Sequence, residues 1–237
     1  MKKLLLVVLW LLPLAAQSQK KTESFWSKLL RVAGVSATPA SLRGEDRAAS
    51  GDIWLVVAQK PTPQRLTRGG EYASPVFDSL GQSVLALSGG DLYRVPVSGE
   101  APVKLRALKG VTKLVGVSHD DPDQLLVLAQ DAQGLRFAAM LSLQAGTLTR
   151  IPHNPLSNED QVMLAHLAGW ERVYGDTHVY TEKNEKEGAV GTIEFTDVYL
   201  KRGNDPPINL TNGNGVSSSQ PSLSADGEWV VFIRGRR

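Results

Sequence analysis

The sequence predicts an all-β fold built of repeated four-strand units, a β-propeller of about four blades. Three observations carry this expectation. From Gly51 onward the apolar residues fall in short runs separated by turn residues. Two stretches lying about 145 residues apart share one motif. A second marker, an aspartate followed by an apolar and then an aromatic residue, recurs in another phase of the same repeat. The background is ordinary for a globular chain: 237 residues, 42% hydrophobic and 21% charged. The 22 glycines and 13 prolines favour many turns over long helices. The chain has no cysteine. That excludes disulfides, thiolate-ligated metals, a cysteine nucleophile and a lipidated cysteine anchor.

The elements follow in chain order. Lys2 and Lys3 precede a 13-residue apolar run from Leu4 to Ala16. A membrane-spanning helix needs roughly 20 such residues, so residues 1–18 read as a signal peptide cleaved after Ser18. Removing them takes away two lysines and no acid, leaving 24 basic and 24 acidic side chains. A neutral mature chain lacks the long-range field that draws proteins to nucleic acid or anionic lipid. Arg234, Arg236 and Arg237 then form the only local basic cluster, read as a solvated tail. Residues 19–49 read as one short amphipathic helix and a linker. Ser24 caps the helix, Phe25, Trp26, Leu29, Leu30 and Ala33 share one stripe, and Gly34 ends it. Residues 50–237 are then the β domain.

In that domain IWLVVA, SVLALS, DLYRVPV, QLLVLAQ, FAAMLSL, HVYTE, TDVYLKR and EWVVFIR are each of strand length and rich in strand-forming residues. MLAHLAGW, near residue 163, is ambiguous between helix and strand. The two aligned stretches begin at Arg65 and Asn209. Both read Leu-Thr-x-Gly, then a proline, then a turn closing on glycine, then an apolar strand. Pro75 matches Pro221, Asp78 matches Ser224, and Gly81 matches Gly227. The second marker is Asp52-Ile53-Trp54, Asp91-Leu92-Tyr93 and Asp197-Val198-Tyr199, with a degenerate copy expected near 135–141. Units of 40–50 residues with four strands are the pattern of propeller blades. The proline starts the innermost strand without needing a ladder donor. The glycine supplies positive φ in the following turn. The aspartate binds backbone amides where the third strand begins, and the aromatic packs between blades.

These residues resemble the TolB-type, WD40-like propeller repeat. The best copy is Pro221-Ser222-Leu223-Ser224-Ala225-Asp226-Gly227 followed by Val230-Val231-Phe232. The resemblance implies an exported, periplasmic location. Residues 52–66 look like the last two strands of a blade and residues 216–237 like the first two, so both ends complete one closing blade. Full blades are expected at about 69–107, 109–152 and 155–211. A six-bladed ring needs about 250 residues at ~42 per blade, more than residues 50–237 supply, which leaves a compact four-bladed ring, an open partial propeller or a product truncated at its C-terminus.

Chemistry is sparse. A propeller peptidase would carry a G-x-S-x-G elbow in a separate domain. The nearest strings, 34–38 and 215–219, lack the second glycine. His119, His153, His166 and His178 are never three or four residues apart, so no helical metal motif exists. Asp120, Asp121 and Asp123 could suit calcium but sit where the last copy has its Asp226-Gly227 turn. TEKNEKEGAVG, 181–191, reads as an extended solvated hairpin loop, with a partner-binding protrusion as the alternative. Asn209-Leu210-Thr211 matches a glycosylation acceptor by coincidence with the Leu-Thr repeat. Trp170 and Tyr174 are assigned to core or blade packing. The innermost strands, expected at 72–78, about 111–118, about 162–168 and 218–224, offer the channel only Glu71, Asp78, His119, His166 and serines. No catalytic residue, metal ligand or cofactor is therefore predicted. The expected function is non-catalytic binding or scaffolding of another envelope protein or peptide, with no nucleic acid and no membrane span in the mature chain. The alternative is an envelope enzyme or a carbohydrate- or Ca²⁺-binding propeller using channel residues.

Overall fold

The computed structural model describes residues 50–118, 121–152, 172–213 and 215–235. The signal segment, the amphipathic helix and its linker, MLAHLAGW, the expected 162–168 strand, His119, His153, His166, Asp120, Trp170, Arg236 and Arg237 lie outside them.

Sixteen strands among the described residues form four four-stranded antiparallel sheets. The first blade is β3 (Tyr72–Phe77), β4 (Ser83–Ser88), β5 (Asp91–Pro96) and β6 (Val103–Ala107), in that order from the axis outward. The second is β7 (Val111–Val117), β8 (Gln124–Gln130), β9 (Arg136–Ser142) and β10 (Leu148–Arg150). The third is β11 (Val173–Tyr174), β12 (Thr177–Gly188), β13 (Gly191–Arg202) and β14 (Ile208–Asn209). The closing blade joins the two ends of the domain. Its β15 (Ser218–Leu223) and β16 (Trp229–Arg234) pair with β1 (Asp52–Val57), which pairs with β2 (Lys60–Arg65). The chain is thus an all-β propeller of four blades.

The sequence runs dictate this layering. In the first and closing blades the middle strands carry apolar residues on both faces because a neighbouring blade covers each face, while Val115, Leu126, Ala138 and Ile151 form a further cluster on the second blade. Val84, Leu85 and Ala86 are all fully buried. Val84 and Ala86 join Ile53, Val231 and Ile233 in the core between the first and closing blades. Leu85 and Leu87 point the other way, against Leu114, Leu125 and Leu141 of the second blade. Val56, Val230 and Phe232 meet Val179, Val198, Leu200 and Leu210 between the closing and third blades. Cores therefore lie between blades, and the outermost strands β2, β6 and β10 are largely exposed.

Among the described residues the strand at the inner edge of the third blade is Val173–Tyr174. Three expectations need correction. Residues 181–191 are not a loop: β12 and β13 run as one uninterrupted ladder from Thr177↔Arg202 to Gly188↔Gly191. Tyr174 is not core: it is 46% exposed. Arg234 is no frayed tail. It ends β16, its guanidinium lies 4.9 Å from the Trp54 ring centre, and it donates to Ser218 Oγ and the Thr211 carbonyl. A terminal basic cluster reads the same in sequence whether stacked or free.

The third blade carries a built-in pH dependence. Burial, and then the neighbouring Lys201 ammonium, lower the proton affinity of His178 below its ordinary value. The unfolded chain then binds the proton more readily. The neutral imidazole's contribution is fully present above the unfolded pKa near 6.5 and is lost as pH falls through the lower folded value. Melting temperature is expected to drop between pH 7.5 and 5.5, and less so in His178→Gln. Equal slopes in the two proteins would remove His178 as the cause.

Candidate functional site

Three sets of positions repeat around the ring, and each is explained by hydrogen bonding. The first is the aspartate marker. Asp197, 2% exposed, accepts hydrogen bonds at Oδ1 from Thr211 Oγ1 (2.7 Å) and Gly213 N–H (2.6 Å). Its Oδ2 accepts from the side-chain amides of Asn184 and Asn209, each at 3.0 Å. Thr211 Oγ1 in turn accepts from Val198 N–H. In the closing blade Asp52 Oδ1 accepts from Gly70 N–H and Thr67 Oγ1, and Thr67 Oγ1 accepts from Ile53 N–H. The Leu-Thr-x-Gly motif and the Asp-apolar-aromatic marker are thus two halves of one clasp. It ties the end of a blade's outer strand to its third strand, at the start of β1 in the closing blade and midway along β13 in the third.

The expected degenerate copy is visible in the register. Ile151 N–H donates to the Ala138 carbonyl, as Leu66 does to Ile53 and Leu210 to Val198. Phe137 therefore stands where the other blades have aspartate. Arg150, equivalent to Arg65, stacks its guanidinium 4.5 Å from the Phe137 ring centre. Arg65 instead pairs with Asp52 Oδ2 at 2.5 Å. The contact persists and its chemistry changes from ion pair to cation–π. Asp91 departs from the clasp: its carboxylate meets the exposed Lys104 ammonium.

The marker aromatics also divide. Trp54 packs against the core between the closing and third blades. Tyr93 meets Tyr72 edge-on within the first blade, and Tyr199 stacks on Tyr180 within the third. Asn209, the nominal glycosylation acceptor, spends its amide on Asp197 and Tyr199 and its oxygen on the Thr211 and Asn212 N–H groups. The side-chain partners Asn184 and Asn209 were missed by sequence reasoning, because Asn209 aligns with an arginine, Arg65, and Asn184 lies outside both aligned stretches.

The second set precedes the prolines. Ser74 and Gln220 both have positive φ, at 51° and 50°. Each sits in a bulge just before Pro75 or Pro221. Ser74 N–H donates to Gln220 Oε1 at 2.5 Å, linking two innermost strands.

The third set closes the turns that follow the innermost strands. Asp78 Oδ1 accepts from Gln82 N–H, Ser118 Oγ from Asp121 N–H, and Ser224 Oγ from Trp229 N–H. Asp226 Oδ1 accepts from Ser224 Oγ and Glu228 N–H. Burial opposes the charge of Asp226, yet these hydrogen bonds win and hold its carboxyl below the usual range. Asp121 and Asp123 are likewise occupied: Asp121 Oδ1 takes Asp123 N–H, and Asp123 takes Ser142 Oγ and Gln144 N–H. Among the described residues no group of three or more acidic or imidazole side chains is placed to hold a metal ion.

Gly81 (φ 67°) and Gly227 (φ 73°) close two of these turns. Around Gly81 a Cβ would meet open space, so Gly81→Ala is expected to cost only the left-handed backbone penalty, about 1–2 kcal/mol. At Gly227 a Cβ would also lie 2.8 Å from the Tyr174 ring. Gly227→Ala should therefore melt lower than Gly81→Ala and increase Tyr174 fluorescence quenching by solvent. Equal melting points would show that the ring yields freely.

All four innermost strands end at one hollow on the axis. Val76–Ser79, Val115–Ser118, Val173–Tyr174 and Ser222–Ala225 line it. Its volume is about 80 Å³, well below the roughly 300–1,000 Å³ of small-molecule sites. Of the expected channel residues, Asp78 is here, with Ser118, Ser222 and Ser224; Glu71 precedes β3 and is not among the lining residues. Tyr174 is the large exposed side chain at its wall. Leu80, in the β3–β4 turn, and Trp229, at the start of β16, are exposed at the same end of the ring.

Four blades, a closing sheet drawn from both ends of the domain and the repeated clasp define a four-bladed β-propeller among the described residues. No family model and no curated protein matches the chain. Among solved structures it is similar to a putative TolB from Agrobacterium tumefaciens, at 18% identity over 77% of this chain and 61% of that one, with a TM-score of 0.40. TolB from Acinetobacter baumannii matches at 16% identity, over 76% of this chain and 46% of that one, with a TM-score of 0.36. The β-propeller domain of the Trilobed protease from Pyrococcus furiosus matches at 9% identity, 74% and 67% coverage and a TM-score of 0.28. The chain spans less than two thirds of the length of either TolB structure.

Proposed function

We propose that the chain is an exported, non-catalytic propeller of the cell envelope that binds another envelope protein or peptide at the end of the ring holding the axial hollow. The observation that supports this most is the state of the hollow's polar groups. Asp78, Ser118 and Ser224 each close a turn of their own chain, so the groups nearest the axis are already engaged. The hollow is too small for a typical organic ligand, while Leu80, Tyr174 and Trp229 offer exposed apolar contact on a rigid frame. Export rests on residues 1–18, and the periplasmic location on the repeat. Among the described residues no helix is long and apolar enough to cross a membrane.

The test is recovery of partners from envelope extract by the full-length export product, whose intact mass reports the cleavage site. A Leu80→Ser/Tyr174→Ser/Trp229→Ser variant is expected to melt near the parent and to lose the partner. A stabilisation of many degrees by millimolar Ca²⁺, with no partner recovered, would favour a metal-dependent channel site instead. A product starting at Met1 in the cytosol would overturn the export reading.

A further inference from the structure

The β12–β13 hairpin is longer than its blade requires. Both strands run for 12 residues, against 6 or 7 in the middle strands of the other three blades. β11 covers only Thr177 and His178 of the inner edge, and β14 pairs only with Tyr199 and Leu200 of the outer one. β12 starts beside Tyr174 at the hollow and runs away from it. The remainder therefore leaves the opposite end of the ring. Thr196, opposite Lys183, is still tied to Ser217 and Ser218, and Phe195, opposite Asn184, is buried; beyond them Glu185–Gly188 extend the hairpin by about 13 Å at ~3.3 Å per residue, to a tip where Val190 is fully exposed.

Register tells which way the backbone points. Val198 N–H and C=O bond outward, to Thr211 Oγ1 and Leu210 N–H. Its cross-strand partner Thr181 must therefore face away from β13 as well, and with the ladder unbroken so must Lys183, Glu185 and Glu187. The β12 edge thus presents a row of N–H and C=O groups without a strand partner among the described residues. On the side-chain face shared by these positions, Glu185 lies directly opposite Glu194, with Glu187 beside them and Lys183 the single cation. Like charges directly opposite weaken a hairpin, so the pair is not there for the hairpin's own stability. A second copy of this edge would set carboxylates against carboxylates, which opposes self-pairing.

We propose that the β12 edge from Lys183 to Glu187 is a strand-addition site for an extended, lysine- or arginine-rich segment of another protein. Backbone groups supply the ladder, and Glu185, Glu187 and Glu194 select basic side chains at alternate positions of the incoming strand. This site lies at the opposite end of the ring from the hollow and does not depend on the binding proposed there.

The probe is a synthetic peptide of alternating threonine and lysine, with a threonine–glutamate peptide as control, titrated against the full chain. The lysine peptide is expected to bind, to slow amide exchange at Lys183, Glu185 and Glu187, and to weaken about tenfold or more in Glu185→Gln/Glu194→Gln. Glu187→Pro removes an outward N–H without touching the β12–β13 ladder and is expected to abolish the exchange protection while His178 and Leu200 amides stay protected. Equal binding by Glu187→Pro would reduce the site to non-specific charge attraction and overturn the proposal. So would absence of binding, equal binding of the glutamate peptide, or dimerisation of the chain through this edge.

Discussion

Deleting residues 220–237 is expected to unfold the whole described domain, not one blade. The deletion removes four of the six residues of β15 and all of β16. With them go Leu223, Val230, Val231, Phe232 and Ile233, four of them fully buried and the fifth nearly so. At about 2 kcal/mol for each fully buried large apolar side chain, the loss is about 10 kcal/mol, comparable with the whole stability of an ordinary domain. These side chains belong to two inter-blade cores at once, so the first and third blades each lose a covered face. β1 would become an exposed edge carrying Ile53, Leu55 and Val56. Circular dichroism and calorimetry of the truncated chain should show no cooperative transition. A truncated chain that melts as the intact one does would disprove closure by both ends.

The marker aspartates should differ sharply in what they contribute. Asp197→Ala leaves four donors facing a cavity where a buried carboxylate stood, and is expected to destabilise by about 3–5 kcal/mol. Asp52→Ala removes a similar clasp with longer bonds and an ion pair to Arg65, whose side chain is partly exposed, so its effect should be smaller. Asp91→Ala breaks only a surface pair with Lys104 and should leave the melting temperature nearly unchanged. Denaturant melts of the three variants decide the order. An Asp91→Ala protein as weakened as Asp197→Ala would mean that the repeat position, rather than the clasp, sets the energy.

Much of this architecture was readable because repeats are periodic in sequence and in space. The Pro75/Pro221 and Gly81/Gly227 equivalences fall at equivalent bulges and turns, and residues near 138 fill the missing marker copy by register. The same letters did not reveal which aspartate is clasped. Asp52, Asp91 and Asp197 look alike, and only the threonine that closes an outer strand distinguishes them: Thr67 and Thr211 are present, whereas Leu108-Lys109-Gly110 has none. The candidate binding surfaces were less legible. Tyr174 read as core because an aromatic beside a repeat is usually packed. Only the convergence of four strand ends places it at the hollow.

By itself the sequence determined the all-β class, the four-strand unit and the pairing of residues 52–66 with residues 216–237 in one blade, because these follow from strand periodicity and repeat spacing. The tertiary structure alone decided that TEKNEKEGAVG is a paired, projecting hairpin and that Arg234 is stacked on Trp54. The physical reason is the same in both cases. Alternating charges suit an exposed strand as well as a loop, and an arginine suits an aromatic face as well as water. What separates the two states is a partner strand: the adjacent arm β13 for the hairpin, and β1, far along the chain, for the arginine.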